Sequence, residues 1–355
     1  MDRLDWKRIF RFNMLALKVT GLWPPGDGSY GRNLYTLYAV VSILLCHVAF
    51  IATQTINLYF IKDDLSAVTG TIFILLTDMG ASLKTYALIK NMRILKHLMV
   101  TVNCDLFQPK GHKQKNLILP SVRFWQIIVS LFWFFTVGCL ILWSSYPIVD
   151  KSFLDYRLPF LAWHPYDIKT SPQYELTYLY QVVSVTVLAV VDVSIDNLIA
   201  YLNMYVGVQF DILRDDIRNL GFDKSDSDDM NRKLIKCVHY HKAILKFAAY
   251  VNQFYNRLLL VQFCVSGISI GLAMFQLTIV APFSSEFYSF VSYANAISVQ
   301  VFLYCWFGNE IEVKVSKIFL QFYLFTWLQR SLQISAFGLF FLSVETFVKV
   351  HTIFF

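Results

Sequence analysis

The chain has 355 residues, with 31 Lys and Arg against 24 Asp and Glu, yet only 15% of its residues are charged while 56% are hydrophobic and 17% aromatic. A soluble domain carries charge on roughly a quarter of its residues, so a water-soluble globule is excluded and the surplus apolar surface needs lipid to face. No basic run interleaves with aromatics, which excludes nucleic acid as a partner.

The first 33 residues carry Arg3, Lys7, Arg8, Arg11, Lys18 and Arg32, and the apolar patch 14–17 is too short for the core of a cleaved signal. Residues 1–33 are therefore expected as a cytosolic segment, with the first span serving as signal and anchor. A helix needs about 20 apolar residues to cross a bilayer core. Six such spans follow, at 34–58, 65–89, 124–146, 176–202, 258–281 and 287–307, with aromatic residues such as Tyr59, Trp125, Trp143 and Trp306 near their ends. After them, 318–328 reads as a short cytosolic-side helix, and 336–355 as a seventh and last span. The expected fold class is an all-α membrane protein of seven transmembrane helices.

Of the 31 Lys and Arg, 25 fall on one side of these spans and four on the other (Lys62, Lys151, Arg157 and Lys169); Lys84 and Lys349 lie inside spans. Positive residues mark the cytosolic side. The N-terminus is then cytosolic and the C-terminus extracellular. The segment 205–257 sits on the positive side, where Val206, Phe210, Leu213 and Ile217 recur at helical spacing, as do Leu234, Val238 and Ile244 after an acidic turn at 221–229. Helices four and five are thus expected to continue as a cytosolic helical stalk. The chain divides into 1–33, the first four spans at 34–204 with an outer loop at 147–175, the stalk at 205–257, spans five and six at 258–307, and the short helix with the last span at 308–355.

Charges at bilayer depth cost several kcal/mol unless paired or hydrated. Asp78 and Lys84 lie in the second span, and Asp192 and Asp196 share one face of the fourth. Lys84 is expected either to pair with Asp192 or Asp196 or to extend its ammonium to the cytosolic headgroups. His239 and His241 are two apart, so they do not face each other on a helix, and no metal site is expected. The six cysteines form no CxxC pair, and nucleophile-elbow, zinc-protease and nucleotide-loop motifs are missing; no cofactor and no enzyme activity are expected.

The outer loop Leu158-Pro-Phe-Leu-Ala-Trp-His-Pro-Tyr-Asp167 reads as an ordered lid. Beneath it, the outer halves of helices two, three, four and six hold Phe73, Leu76, Gly138, Leu142, Trp143, Tyr180, Ser184, Val187, Tyr288 and Val291. Such small, aromatic and weakly polar groups suit an enclosed site for a small apolar ligand, and they equally suit helix packing.

Several segments resemble the insect odorant receptor family: Leu158-Pro-Phe with Trp163-His-Pro-Tyr-Asp167 and Ser171-Pro-Gln-Tyr-Glu-Leu176, Asp196-Asn-Leu with Gln209-Phe-Asp-Ile-Leu213, Cys237-Val-His-Tyr-His241, Tyr304-Cys-Trp-Phe-Gly-Asn-Glu-Ile311 and Phe340-Phe-Leu-Ser-Val-Glu-Thr-Phe347. The chain looks unlike the shared coreceptor, which has a longer cytosolic loop. The resemblance implies an odorant-specific subunit that binds a small volatile ligand and gates a non-selective cation channel. It further implies a heterotetramer with the odorant coreceptor in the plasma membrane of sensory neurons. The last helix would line the pore, with Val344, Phe347, Val348 and His351 on it. Where that family carries a longer polar segment after Glu312, the stretch 313–335 is contracted, and the chain stops short of the family's final turns; ligand binding is expected to survive this better than pore formation. A gustatory-type receptor channel and a G-protein-coupled receptor are the alternatives.

Overall fold

A computed structural model describes residues 3–26, 30–220, 227–323, 335–336 and 340–341. Two short N-terminal helices, α1 (Trp6–Ile9) and α2 (Arg11–Val19), precede the first long helix. Asp5 caps α1 by accepting from the Lys7 and Arg8 backbone N–H groups. Trp6, Phe10, Asn13 and Leu17, spaced four, three and four apart, form a buried stripe. The stripe packs on a later helix: Tyr201 donates to the Trp6 carbonyl at 2.8 Å, and the Phe10 and Tyr201 rings stack at 5.1 Å.

The first long helix runs as α3 (Leu34–Ser42), a π-helical stretch at Ile43–Ala49 and α4 (Phe50–Ile61). Then come α5 (Leu65–Lys90), α6 (Met92–Thr101), α7 (His112–Val149), α8 (Gln173–Leu220), α9 (Ser227–Ile279) and α10 (Ser285–Tyr323). Six helices among the described residues are long and apolar enough to cross a membrane, the α3–α4 unit and α5, α7, α8, α9 and α10. Many of their apolar side chains point outward: Leu37, Val41, Leu44, Ile127, Phe134, Ile141 and Leu179 are all exposed. The inner faces build one continuous core in which the whole stretch from Val191 to Phe210 of α8 is buried, making α8 the central helix.

Two expectations change. Residues 227–229, expected within the acidic turn, are helical, because α9 begins at Ser227; Asp229 pairs there with Lys233 at 2.7 Å, an i,i+4 contact that favours helix. No separate helix starts at 318, since α10 runs unbroken to Tyr323. Residues 324–334 lie outside the described residues. Of the run 336–355, Ala336, Phe340 and Phe341 are described, and they are not helical. Ser335–Ala336 (β1) and Phe340–Phe341 (β2) pair antiparallel. Val344, Phe347, Val348 and His351 lie outside the described residues.

Candidate ligand cavity

A cavity of about 110 Å³ lies inside the bundle, walled by α5, α7, α8, α10 and the loop after α7. Its lining is almost wholly apolar and aromatic. Ile74 and Ala81 come from α5; Phe132, Cys139, Leu140 and Trp143 from α7; Val185, Leu188 and Ala189 from α8; Tyr293, Ala296 and Ile297 from α10. Polar groups gather at one end: Asp78, Asp192 and Gln300.

Phe160, from the loop, closes the cavity. Its ring stacks on Trp143 at 5.7 Å with 14° between planes, and Trp143 meets Phe290 edge-on at 5.3 Å. The loop is held by main-chain bonds. Gln181 on α8 accepts from the Phe160 N–H and donates to the Phe160 carbonyl, both at 3.0 Å, so one side-chain amide satisfies one residue's donor and acceptor. The Trp163 N–H reaches the Thr53 carbonyl on α4 at 3.0 Å, and the Tyr174 hydroxyl reaches the Arg157 carbonyl at 2.8 Å. Burial pushes the His164 imidazole, within this loop, below its usual range. Beyond Ile74, Trp143 and Phe160 lies a second, more polar cavity of about 240 Å³, lined among others by Gln54, Asp64, Ser66, Gln276 and the ion pair of Arg157 and Glu286, 3.6 Å apart.

The polar end continues below the cavity as a network. Lys84 Nζ lies 2.7 Å from Asp192 Oδ1 and 2.7 Å from Asp196 Oδ1. Gln300 Nε2 donates to Asp192 Oδ2 at 2.9 Å and also to Asp196, and the Tyr304 hydroxyl donates to Asp196. One helix turn sets Asp192 and Asp196 on the same face of α8, and Gln300 and Tyr304 repeat that spacing on α10. An isolated charge here would cost several kcal/mol; one ammonium shared by two carboxylates, with neutral donors filling the other oxygens, meets that cost through hydrogen bonds. Asp78 stands apart, accepting from Gln54 Nε2 at 3.0 Å.

Of the residues expected at a ligand site, Trp143 lines the cavity. Phe73 is buried behind the wall, its ring 5.0 Å from Tyr293 and 5.4 Å from Phe290. Tyr180 turns toward the first helix, donating to the Leu45 carbonyl at 2.9 Å, and Ser184 is fully buried on the same side of α8. Gly138 approaches Ser292 of α10, whose hydroxyl would lie 3.8 Å from an added Cβ. Leu76, Leu142, Val187 and Val291 are half-buried and outside the lining, and Tyr288 is exposed. On each helix the lining residues are instead those in register with the polar groups. Counting back from Asp192 by three, four and seven gives Ala189, Leu188 and Val185, and the same steps from Gln300 give Ile297, Ala296 and Tyr293. That periodic link to an intramembrane charge was the available signal.

Six apolar helices, four of which wall a cavity with a few convergent polar groups, define a polytopic membrane protein with the build of a small-molecule receptor. Residues 64–346 match the family model described as 7tm Odorant receptor, and the chain belongs to that family. It is 27% identical to Odorant receptor Or1 of Anopheles gambiae, over 89% of this chain and 81% of that protein. To Odorant receptor 46a, isoform A, of Drosophila melanogaster it is 20% identical, over 88% and 81% respectively. Its fold matches the insect olfactory receptor OR5 of Machilis hrabei solved in complex with eugenol, with a TM-score of 0.81 at 16% identity, covering 99% of this chain and 97% of that one. A second structure of OR5 from Machilis hrabei matches with a TM-score of 0.78 at 15% identity.

Proposed function

We propose that this chain is the odorant-binding subunit of a non-selective cation channel, assembled as a heterotetramer with an odorant coreceptor in the plasma membrane of sensory neurons. The observation that carries the reading is the apolar cavity beneath the Phe160 loop, lined by four helices from separate parts of the chain. Family membership supplies the receptor role, and OR5 in complex with eugenol supports a small organic ligand as occupant.

On this reading the 150–172 loop faces outward, and the ends rich in Lys and Arg, around 90–123 and 205–257, face the cytosol. The N-terminus is cytosolic, α8 and α9 extend past the membrane as a stalk, and the C-terminal run bearing Val344, Phe347, Val348 and His351 supplies a seventh, pore-lining segment. A ligand that fits the cavity better in the open arrangement of α5, α7, α8 and α10 shifts the population toward it.

The test is transmembrane current in cells expressing this chain with and without a coreceptor, under a broad panel of volatiles. Ligand-evoked current that requires both chains supports the reading. Silence across the panel, with both chains at the cell surface and a control receptor responding, overturns it.

A further inference from the structure

We propose that the cavity selects ligands that carry a hydrogen-bond donor, a hydroxyl or an amine on a small apolar body, and that Asp78 is the acceptor that meets it. The inference rests on the ligand-binding reading above and extends it to the chemical class of ligand.

The argument is a count of donors and acceptors at the polar end of the cavity. Three carboxylates, those of Asp78, Asp192 and Asp196, are buried at or just below the cavity, all at most 9% exposed. One ammonium, that of Lys84, is present there, and it is committed at 2.7 Å to both Asp192 and Asp196. Those two also take the amide of Gln300 and the hydroxyl of Tyr304. Asp78 receives, among the described residues, the single neutral donor of Gln54 at 3.0 Å. The same Gln54 leaves its Oε1 buried and without a partner, so acceptors exceed donors around Asp78.

A buried carboxylate is stable when two or three donors or a cation reach it. Among the described residues nothing else supplies them to Asp78, and it lines the cavity. An occupant with an O–H or N–H can supply what is missing. An ether or hydrocarbon of the same shape covers Asp78 and offers no donor, leaving a desolvated acceptor unpaired, and that omission is the expensive one. Sites built to bond a polar hydrogen reject analogues without it far more strongly than apolar pockets discriminate by shape. The remaining walls set the size of the body: an apolar cavity of about 150 Å³ admits benzene, so the present volume of about 110 Å³ suits a short alkyl chain rather than a long one.

The experiment compares pentan-1-ol and pentan-1-amine with butyl methyl ether and hexane, which match them in heavy-atom number. Two readouts are taken: current from cells expressing the chain with its coreceptor, and ligand-induced rise in melting temperature of the full chain in detergent. In the wild type, both donors should act at concentrations at least about ten-fold below the ether and hexane. Asp78→Leu should bring the four compounds together. Asp78→Asn, which matches the native side chain in shape and guards against loss of fold, should keep a response to the alcohol and lose the advantage of the amine. Equal potency of the four compounds in the wild type, or discrimination that survives unchanged in Asp78→Leu, overturns the proposal. Selective stabilisation without current would uphold the role of Asp78 and defeat the channel reading; current without selectivity would do the reverse.

Discussion

The ammonium of Lys84 on α5 sits 2.7 Å from the carboxylate of Asp196 on α8, and the two side chains are 3% and 0% exposed. The pair ties together two of the cavity's walls one turn below its polar end. Removing one member of a buried ion pair leaves the other charge uncompensated, typically at a cost of about 3–5 kcal/mol. Lys84→Met should therefore abolish surface expression or lower the melting temperature sharply. Adding Asp192→Asn and Asp196→Asn to it should recover much of the loss, because neutral amides can still bond Gln300 and Tyr304. Melting of the three-site variant at or below the temperature of Lys84→Met alone would contradict the pairing argument.

Gln181 meets both main-chain groups of Phe160, the residue that closes the cavity. Gln181→Ala should free a buried N–H and a buried carbonyl, weakening the closed loop by about 1–3 kcal/mol for each unmet group. Hydrogen exchange at 158–163 should accelerate while exchange in the middle of α8 stays slow. Uniform acceleration through α8 would mean that Gln181 supports the helix rather than the loop.

The same loop should respond to acid. The folded environment lowers the His164 pKa, so the ordered loop binds a proton less readily than the disordered one. Loop stability is then complete above the ordinary histidine value of about 6.5 and declines as pH falls through it toward the lower folded value. Protection factors at 160–170, which remove the intrinsic pH dependence of exchange, should be lower at pH 5.5 than at pH 7.5, and His164→Phe should flatten the difference. An unchanged pH response in His164→Phe would place the effect elsewhere.

Much of this architecture was legible because lipid constrains sequence so tightly. A run of apolar residues long enough to span has few alternatives, and Lys84, Asp192 and Asp196 stand out in such runs since each charge must have a reason to be there. Uncharged polar residues give no such warning. Gln54, Gln300 and Tyr304 read as ordinary members of apolar helices, although they complete the hydrogen bonding of the aspartates. The expected ligand stripe of Tyr180, Ser184 and Val187 lies on α8 outside the cavity lining, with Tyr180 bonded to the first helix, because aromatic and small residues mark tight packing as readily as they mark a cavity. The stripe of Trp6, Phe10, Asn13 and Leu17 was present in the sequence at helical spacing, masked by the basic residues between its members.

Gly21 shows a backbone constraint that no pattern of hydrophobicity displays. Its φ is +87°, and an added Cβ would lie 2.9 Å from the Ala39 Cα, a backbone atom that cannot turn aside. Gly21→Ala should cost about 1–3 kcal/mol from left-handed strain and the forced separation of the N-terminal segment from α3. Gly26 also has positive φ, at +75°, but an added Cβ would meet nothing within 4 Å. Gly26→Ala should cost about 1 kcal/mol. Melting temperatures of the two variants separate strain from collision, and equal losses would remove the collision from the explanation.

Trp143 divides the two cavities, contributing to the walls of both. Its indole is packed against Phe160 on one side and Phe290 on the other, so its rotamer is fixed by rings from the loop and from α10. Truncation to alanine removes that partition, and a buried Trp→Ala substitution costs about 3–5 kcal/mol through lost contacts and the void left behind. Trp143→Ala should thus be less stable but should bind ligands longer than those of the wild type, because the apolar chamber then opens into the polar one toward Arg157 and Glu286. Trp143→Phe keeps a ring in the partition and should retain the wild-type size limit with a smaller loss of stability. Dose–response curves for a homologous series of alcohols check both statements: the optimum chain length should rise in Trp143→Ala and stay in place in Trp143→Phe. An optimum that shifts equally in both variants would mean that the contact with Phe160, rather than the bulk of the indole, separates the chambers.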